Sequence, residues 1–197
     1  PPIAYPPQVN LTFSASVLVP FRNEEETLEE LVQILSYQRE VDFEVIFVDD
    51  HSTDKSLEVL GKALQQAKFR WKLIELKDNS GKKAAITEGI NQASHGLIVT
   101  TDADCKMAPL WLQTIMATFQ NPEIQMVLGP IMLTGNTPWH LTQSIEYTPL
   151  VGLTRIMAEL GKPIMANGGN LAYRKSVFEE VNGFQGINGT PSGDDEL

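Results

Sequence analysis

Two apolar runs rich in β-branched residues each end abruptly in carboxylates. Glu44-Val45-Ile46-Phe47-Val48 stops at Asp49-Asp50-His51-Ser52-Thr53-Asp54, and Leu97-Ile98-Val99-Thr100 stops at Thr101-Asp102-Ala103-Asp104-Cys105. Runs of this kind read as strands buried on both faces, as in a parallel sheet. An open α/β sheet binds ligands at the carboxyl ends of its strands, which is where these acidic groups fall. Carboxylates gathered at one rim repel one another unless a cation joins them. A divalent metal with oxygen ligands, carrying a phosphate-bearing substrate, is the natural occupant.

The flanking pattern extends the sheet. Ser16-Val17-Leu18-Val19-Pro20 reads as a first strand that stops at Pro20, which cannot donate to a ladder. Asn23 suits a helix N-cap with Glu26 as its capping-box partner, and Leu28, Leu31, Val32 and Leu35 follow at helical spacing. Leu57, Leu60 and Leu64 mark a second helix over 54–67, and residues 71–76 a third strand. After the turn Asn79-Ser80-Gly81, a third helix is marked by Ile86, Ile90 and Ala93, and strand 97–101 follows. The alternation predicts an α/β fold, a mostly parallel sheet with helices on both faces. Further on, Pro109 to Phe119 reads as a helix with Pro109 in its first turn, and Met126 to Met132 as a strand. Pro138 to Leu160 reads as mostly helical with a break at Pro149, Met165 to Tyr173 as a tight turn entering a strand, and Lys175 to Val181 as a short helix.

The totals narrow the function. A chain of 197 residues is enough for one domain with a real core. Lys plus Arg is 15 against 25 Asp plus Glu, a net charge of −10, which argues against a nucleic-acid binder but leaves room for a small anionic ligand. Cys105 is the only cysteine, so neither an intrachain disulfide nor a Cys-rich zinc site is possible, and a reducing compartment fits. No apolar run approaches the roughly 18–20 residues of a membrane span. Residues 1–13 read as a Pro-rich linker and 14–197 as the working domain. The closing Gly193-Asp194-Asp195-Glu196-Leu197 breaks off in an acidic segment, the expected look of a domain truncated at its C-terminus.

Taken together, Val17 to Glu24, Val48 to Asp54, Gly81-Lys82, Asp102-Ala103-Asp104, Gly168-Gly169-Asn170 and Gly193 to Leu197 resemble the family 2 glycosyltransferases, from about Ser14 to the end. The resemblance implies a GT-A (Rossmann-like) fold, Mn2+ or Mg2+, and a UDP- or GDP-linked sugar as donor. It implies inversion at the anomeric carbon on transfer to a hydroxyl of a glycan, lipid or other acceptor, by a parent protein at the cytoplasmic face of a membrane. Roles follow at the matching positions. Pro20, Phe21, Asn23 and Glu24 form the first wall of the nucleotide pocket, Asp50 hydrogen-bonds the base, and Lys82 approaches the base or the diphosphate. Asp102, with Ala103, lies near the ribose and metal, and Asp104 binds the metal directly. Asp194 matches the catalytic base; Gly193 stands where Glu is common, which leaves Asp195 as its alternative. His51 replaces a usual Gly.

Plain chemistry agrees. A metal held by carboxylates stabilises charge on a departing diphosphate. A carboxylate from a distant segment such as 193–197 can take the acceptor's proton, a contribution of about 10²–10⁴ in rate.

Blander readings stand beside these. Asp49 and Asp50 serve equally to cap the second helix, and Asp54 reads as a helix-start residue. Lys82 reads as a solvated lysine, although a lysine in a helix's first turn opposes the dipole, which favours an anionic ligand. Trp111 and Leu112 read as core, Trp139 and His140 as packing residues, and Asp194-Asp195 as a frayed tail. A rival from another class is a phospho-receiver signalling domain, whose opening Val45 to His51 also resembles, with Asp102 or Asp104 as phosphoacceptor and Lys162-Pro163 later. Topology separates the two: a receiver's sheet begins at residue 44, a transferase's near residue 16. A nucleotide-sugar pyrophosphorylase lacks its Gly-rich loop here, and a dinucleotide oxidoreductase its Gly-x-Gly-x-x-Gly.

Overall fold

The computed structural model describes residues 13–132 and 167–185, and between them 137, 145, 149–154, 156, 157, 160 and 162. Its strands are β1 (Ala15–Phe21), β2 (Phe43–Asp49), β3 (Arg70–Glu75), β4 (Leu97–Thr100), β5 (Met126–Leu128) and β6 (Leu171–Arg174). They form one sheet in the order β3-β2-β1-β4-β6-β5. The first four run parallel, whereas β6 is antiparallel to β4 and β5 antiparallel to β6. Among its helices are α1 (Leu28–Ser36), α2 (Ser56–Leu64), α3 (Lys82–Gln92), α4 (Trp111–Thr118) and α5 (Lys175–Glu180).

Period-two alternation along β1 feeds two cores. Val17 and Val19 face a layer built from Leu28, Leu31 and Leu35 of α1, Leu60 and Leu64 of α2, and Leu112 and Met116 of α4. Leu18, with Ile46 and Val48 of β2, faces Ala85, Ile86 and Ile90 of α3. Each such side chain contributes about 1.5–3 kcal/mol on full burial. A one-residue slip would send every one of them to the wrong face, so the register is firmly set. Gly89 lets α3 lie close on β1, since a Cβ there would stand 3.2 Å from Leu18 Cδ2.

Several sequence expectations shift in detail. β1 runs past Pro20 to Phe21. The carbonyl of Leu18 accepts from Thr101 N–H, on the β4 side, so Pro20, two residues on, turns its nitrogen the same way. β4 ends opposite Leu18, and no ladder bond is forfeited. Asn23 is not an N-cap: α1 begins at Leu28 after Thr27, because the Asn23 side chain is engaged elsewhere. α2 is shorter than 54–67, α4 starts after Pro109, and β5 ends at Leu128. Residues 149–154 are helical, Pro149 among them. The receiver reading fails on topology, since β1 lies inside the sheet, between β2 and β4. The Pro-rich start, Trp139, His140, Pro163, Asp194 and Asp195 lie outside the described residues.

Candidate active site

The two acidic turns follow β2 and β4, which flank β1 on either side. At the end of β2 the buried Asp49 carboxylate accepts from Ser52 N–H at 3.2 Å and so folds the turn around itself. Asp50 is buried to 7% exposure. Its N–H donates to Phe21 O at 2.9 Å. Its Oδ2 accepts from Gly81 N–H at 2.9 Å, and its Oδ1 lies 3.2 Å from His51 Nδ1. Arg22 stands beside it, 3.9 Å from Oδ2. Asp49 and Asp50 therefore do not cap α2. The first N–H of α2, that of Ser56, is taken instead by Asp54 Oδ1 at 2.9 Å.

The loops after β1 and β2 brace each other. Asn23 Oδ1 accepts from Thr53 N–H at 2.7 Å, and Asn23 N–H donates to Ser52 Oγ at 3.0 Å. Glu24 N–H donates to Ser56 Oγ at 2.7 Å, and Glu25 with Lys55 repeats the exchange. Two residues in this brace hold left-handed backbones, Asn23 at φ 56° and His51 at φ 59°. Asn adopts that conformation readily; for His it is uncommon. The turn a glycine would make here is thus kept, with a side chain on it. Pro20 is buried, and Phe21 is buried in the core on the α1 side. The wall of the site in this stretch is therefore backbone plus the exposed Arg22 and Asn23 and the half-buried Glu24.

The second turn is built against the segment before β6. Thr100 Oγ1 donates to Gly168 O at 2.6 Å, and Asn167 Oδ1 accepts from Gly169 N–H at 2.9 Å. These bonds seat Gly168–Asn170 on Asp102. A Cβ on Gly169 would lie 3.0 Å from Asp102 Oδ2 and 3.2 Å from Cys105 Sγ, so any larger residue presses on the carboxylate. Asn170 ties the periphery together: its Oδ1 accepts from Trp111 Nε1 at 2.9 Å, and its Nδ2 donates to Pro130 O. Trp111, read from sequence as core, is half-buried and spends its indole N–H on this link.

Asp102 is half-buried and Asp104 exposed, while Ala103 between them is buried. Lys82 Nζ lies 2.8 Å from Asp102 Oδ1. Asp102, Asp104 and Cys105 each offer a ligand atom, all within 4.8 Å of one another. Two carboxylates at that spacing suit a hard divalent cation, so the residues present fit the implied Mn2+ or Mg2+. Burial pushes the Cys105 thiol up from its ordinary value, and the charges of Asp102 and Asp104 push the same way; the neutral thiol is the weak member of the set.

The structure brings together Pro20 to Glu24, Asp50, Lys82 and Asp102 to Asp104 at the carboxyl ends of β1, β2 and β4. Arg22 was read only as part of the first wall, Pro20 to Glu24, and His51, Gly169 and Asn170 were not singled out as site residues by sequence reasoning. The Gly168-Gly169-Asn170 triplet was a visible signal, and a departure from glycine at position 51 another. For Arg22 the sequence carried no signal beyond its place in the first loop.

Comparison with known proteins agrees with this geometry. The family described as "Glycosyl transferase family 2" matches residues 16–181. An undecaprenyl-phosphate 4-deoxy-4-formamido-L-arabinose transferase of Photorhabdus laumondii is 38% identical over 106 residues, 52% of this chain and 33% of that protein. A poly-beta-1,6-N-acetyl-D-glucosamine synthase of Staphylococcus epidermidis is 28% identical over 171 residues, 84% of this chain and 40% of that protein. The chain thus spans well under half the length of either relative. Among solved structures, a mannosyltransferase of Pyrobaculum calidifontis in complex with GDP-Man and Mn2+ superposes with a TM-score of 0.65 at 20% identity, over 88% of this chain and 48% of that one. The likeness confirms the fold, a mixed, mostly parallel GT-A sheet. With the family matched across most of its length, the chain belongs to glycosyl transferase family 2.

Proposed function

We propose that this chain is the donor- and metal-binding part of an inverting glycosyltransferase that moves a sugar from a UDP- or GDP-linked donor to an acceptor hydroxyl. One juxtaposition carries the reading. Gly81 and Lys82, adjacent at the start of α3, take hold of Asp50 and Asp102, so acidic turns from two strands open on one rim. In this reading Asp50 and the loop Pro20 to Glu24 hold the base, and Lys82 holds the diphosphate. Asp102 and Asp104 are the residues that would hold Mn2+ or Mg2+, which when bound offsets charge on the leaving diphosphate as a Lewis acid. Asp194 or Asp195 takes the acceptor's proton as the hydroxyl attacks, and a single displacement inverts the anomeric carbon.

The acceptor is proposed from the relatives' names, one of which carries undecaprenyl phosphate and the other a poly-N-acetylglucosamine product. A glycan hydroxyl at the cytoplasmic face of a membrane fits the base-assisted step above, whereas a lipid phosphate there would attack through an oxygen that is already anionic and needs no base. Among the described residues no helix is long and apolar enough to cross a membrane. A calorimetric screen of UDP, GDP and their sugars, with and without Mn2+, tests the donor reading. One nucleotide is expected to bind, and to bind more tightly with the metal. Binding of neither nucleotide, or indifference to Mn2+, overturns it.

A further inference from the structure

We infer that His51 reads the nucleobase of the donor; the inference rests on the donor-site reading above. It begins from a conformational outlier. His51 sits at φ 59°, a region that histidine visits rarely and glycine freely. Strain of this kind persists where the surroundings over-determine it, and it clusters at functional sites. Here the surroundings are explicit. Asp49 accepts from Ser52 N–H, Ser52 Oγ accepts from Asn23 N–H, and Thr53 N–H donates to Asn23 Oδ1. None of these bonds uses the side chain at position 51, so a glycine would complete the same turn with less strain.

The imidazole has a defined place. A carboxylate only accepts, so the contact from His51 Nδ1 to Asp50 Oδ1 at 3.2 Å fixes the proton on Nδ1. In the neutral ring the acceptor lone pair is then on Nε2, on the edge turned away from Asp50. The Asp50 side chain is only 10% exposed, against 41% for His51 and 57% for Arg22. A base approaching Asp50 therefore meets His51 and Arg22 at the surface. The Asp50 oxygens already accept from His51 and Gly81. Uracil and guanine each present a ring N–H beside a carbonyl, which matches a ring-nitrogen acceptor beside a guanidinium donor. The diphosphate end of the donor falls to Lys82, Asp102 and Asp104, on the other side of the Gly81-Lys82 step.

The test compares the unmodified chain with His51→Gly and His51→Asn, both at ease at positive φ. Calorimetry with UDP, GDP and inorganic pyrophosphate, each with Mn2+, is paired with thermal melts. The variants should melt at the same temperature or higher. They should bind the preferred nucleotide about five- to tenfold more weakly, the loss of one hydrogen bond and its ring contact, and bind pyrophosphate unchanged. Unchanged nucleotide affinity overturns the inference. So does an equal loss for pyrophosphate, which would mean that His51 acts only through the shape of the loop. If the unmodified chain binds pyrophosphate but neither nucleotide, the donor-site reading fails and takes this one with it.

Discussion

Lys82 and Asp102 form an ion pair of 2.8 Å across the mouth of the site, so the cation expected to serve the donor's diphosphate rests on a carboxylate expected to serve the metal. Both side chains are about one-third exposed, at 36% and 33%. The two claims on Asp102 compete. Lys82→Met should therefore tighten Mn2+ alone by about two- to fivefold, the scale of a partly exposed pair. The same change should weaken the nucleoside diphosphate by about tenfold, through loss of a charged donor. Titrating Mn2+ with and without nucleotide separates the two signs; a fall in both affinities would show that the lysine does not compete for the metal oxygen.

Asp104 is exposed and makes no packing contribution to the core. Asp104→Asn should leave the thermal midpoint within about 2 °C of the original, as surface substitutions do. Metal-dependent donor turnover should fall by more than about 10², as expected if Asp104 is a carboxylate ligand to the metal. Retained turnover would move the metal off this turn.

Most of the sheet was legible because its logic is local. Val17–Val19, Val45–Val48 and Leu97–Val99 are continuous apolar stretches inside β1, β2 and β4, and acidic turns follow β2 and β4, although β1 itself runs on through Pro20 to Phe21. What was missed depends on contacts between distant segments. Asn23 has the composition of an N-cap, yet Thr53, distant in sequence, claims its side chain. Trp111 does pack against the core, but the acceptor for its indole N–H, Asn170, comes from a distant segment. β6 lies antiparallel to β4, a direction that no periodicity in the residues encodes.

Gly169 has a steric reason to be glycine. A Cβ there would lie 2.9 Å from Ile131 Cδ1, 3.0 Å from Asp102 Oδ2 and 3.2 Å from Cys105 Sγ. Ile131 and Cys105 end in side-chain atoms that can shift, and so does Asp102, but Asp102 is the one whose position matters. Gly169→Ala should cost about 1–3 kcal/mol of stability and weaken Mn2+ binding besides. Normal Mn2+ affinity in a destabilised variant would show that Asp102 had not been displaced.

The base assignment separates transfer from binding. Asp194→Asn should bind donor normally and lose transfer by about 10²–10⁴, while Asp195→Asn should stay within a few-fold. The reverse pattern would hand the role to Asp195. Loss of donor binding in either variant would place this segment in the nucleotide pocket instead.

At the opposite end of the sheet, Glu44 is a buried carboxylate with 4% exposure. Burial alone would raise its pKa, but Ser94 N–H at 2.6 Å, Ser16 Oγ at 2.7 Å and Ser94 Oγ at 3.1 Å all donate to it. With Lys72 at 3.5 Å, these hold it below its ordinary value of 4.5. A carboxylate depressed on folding contributes stability above its unfolded pKa and loses it as pH falls through the folded one. Glu44→Gln should thus cost about 1–3 kcal/mol at pH 7. Its deficit against the original should shrink steadily below pH 4.5, where the unmodified chain begins to surrender the same bonds. Urea melts at neutral and acid pH measure the gap; a gap that stays constant with pH would mean that the charge on Glu44 contributes nothing to the fold.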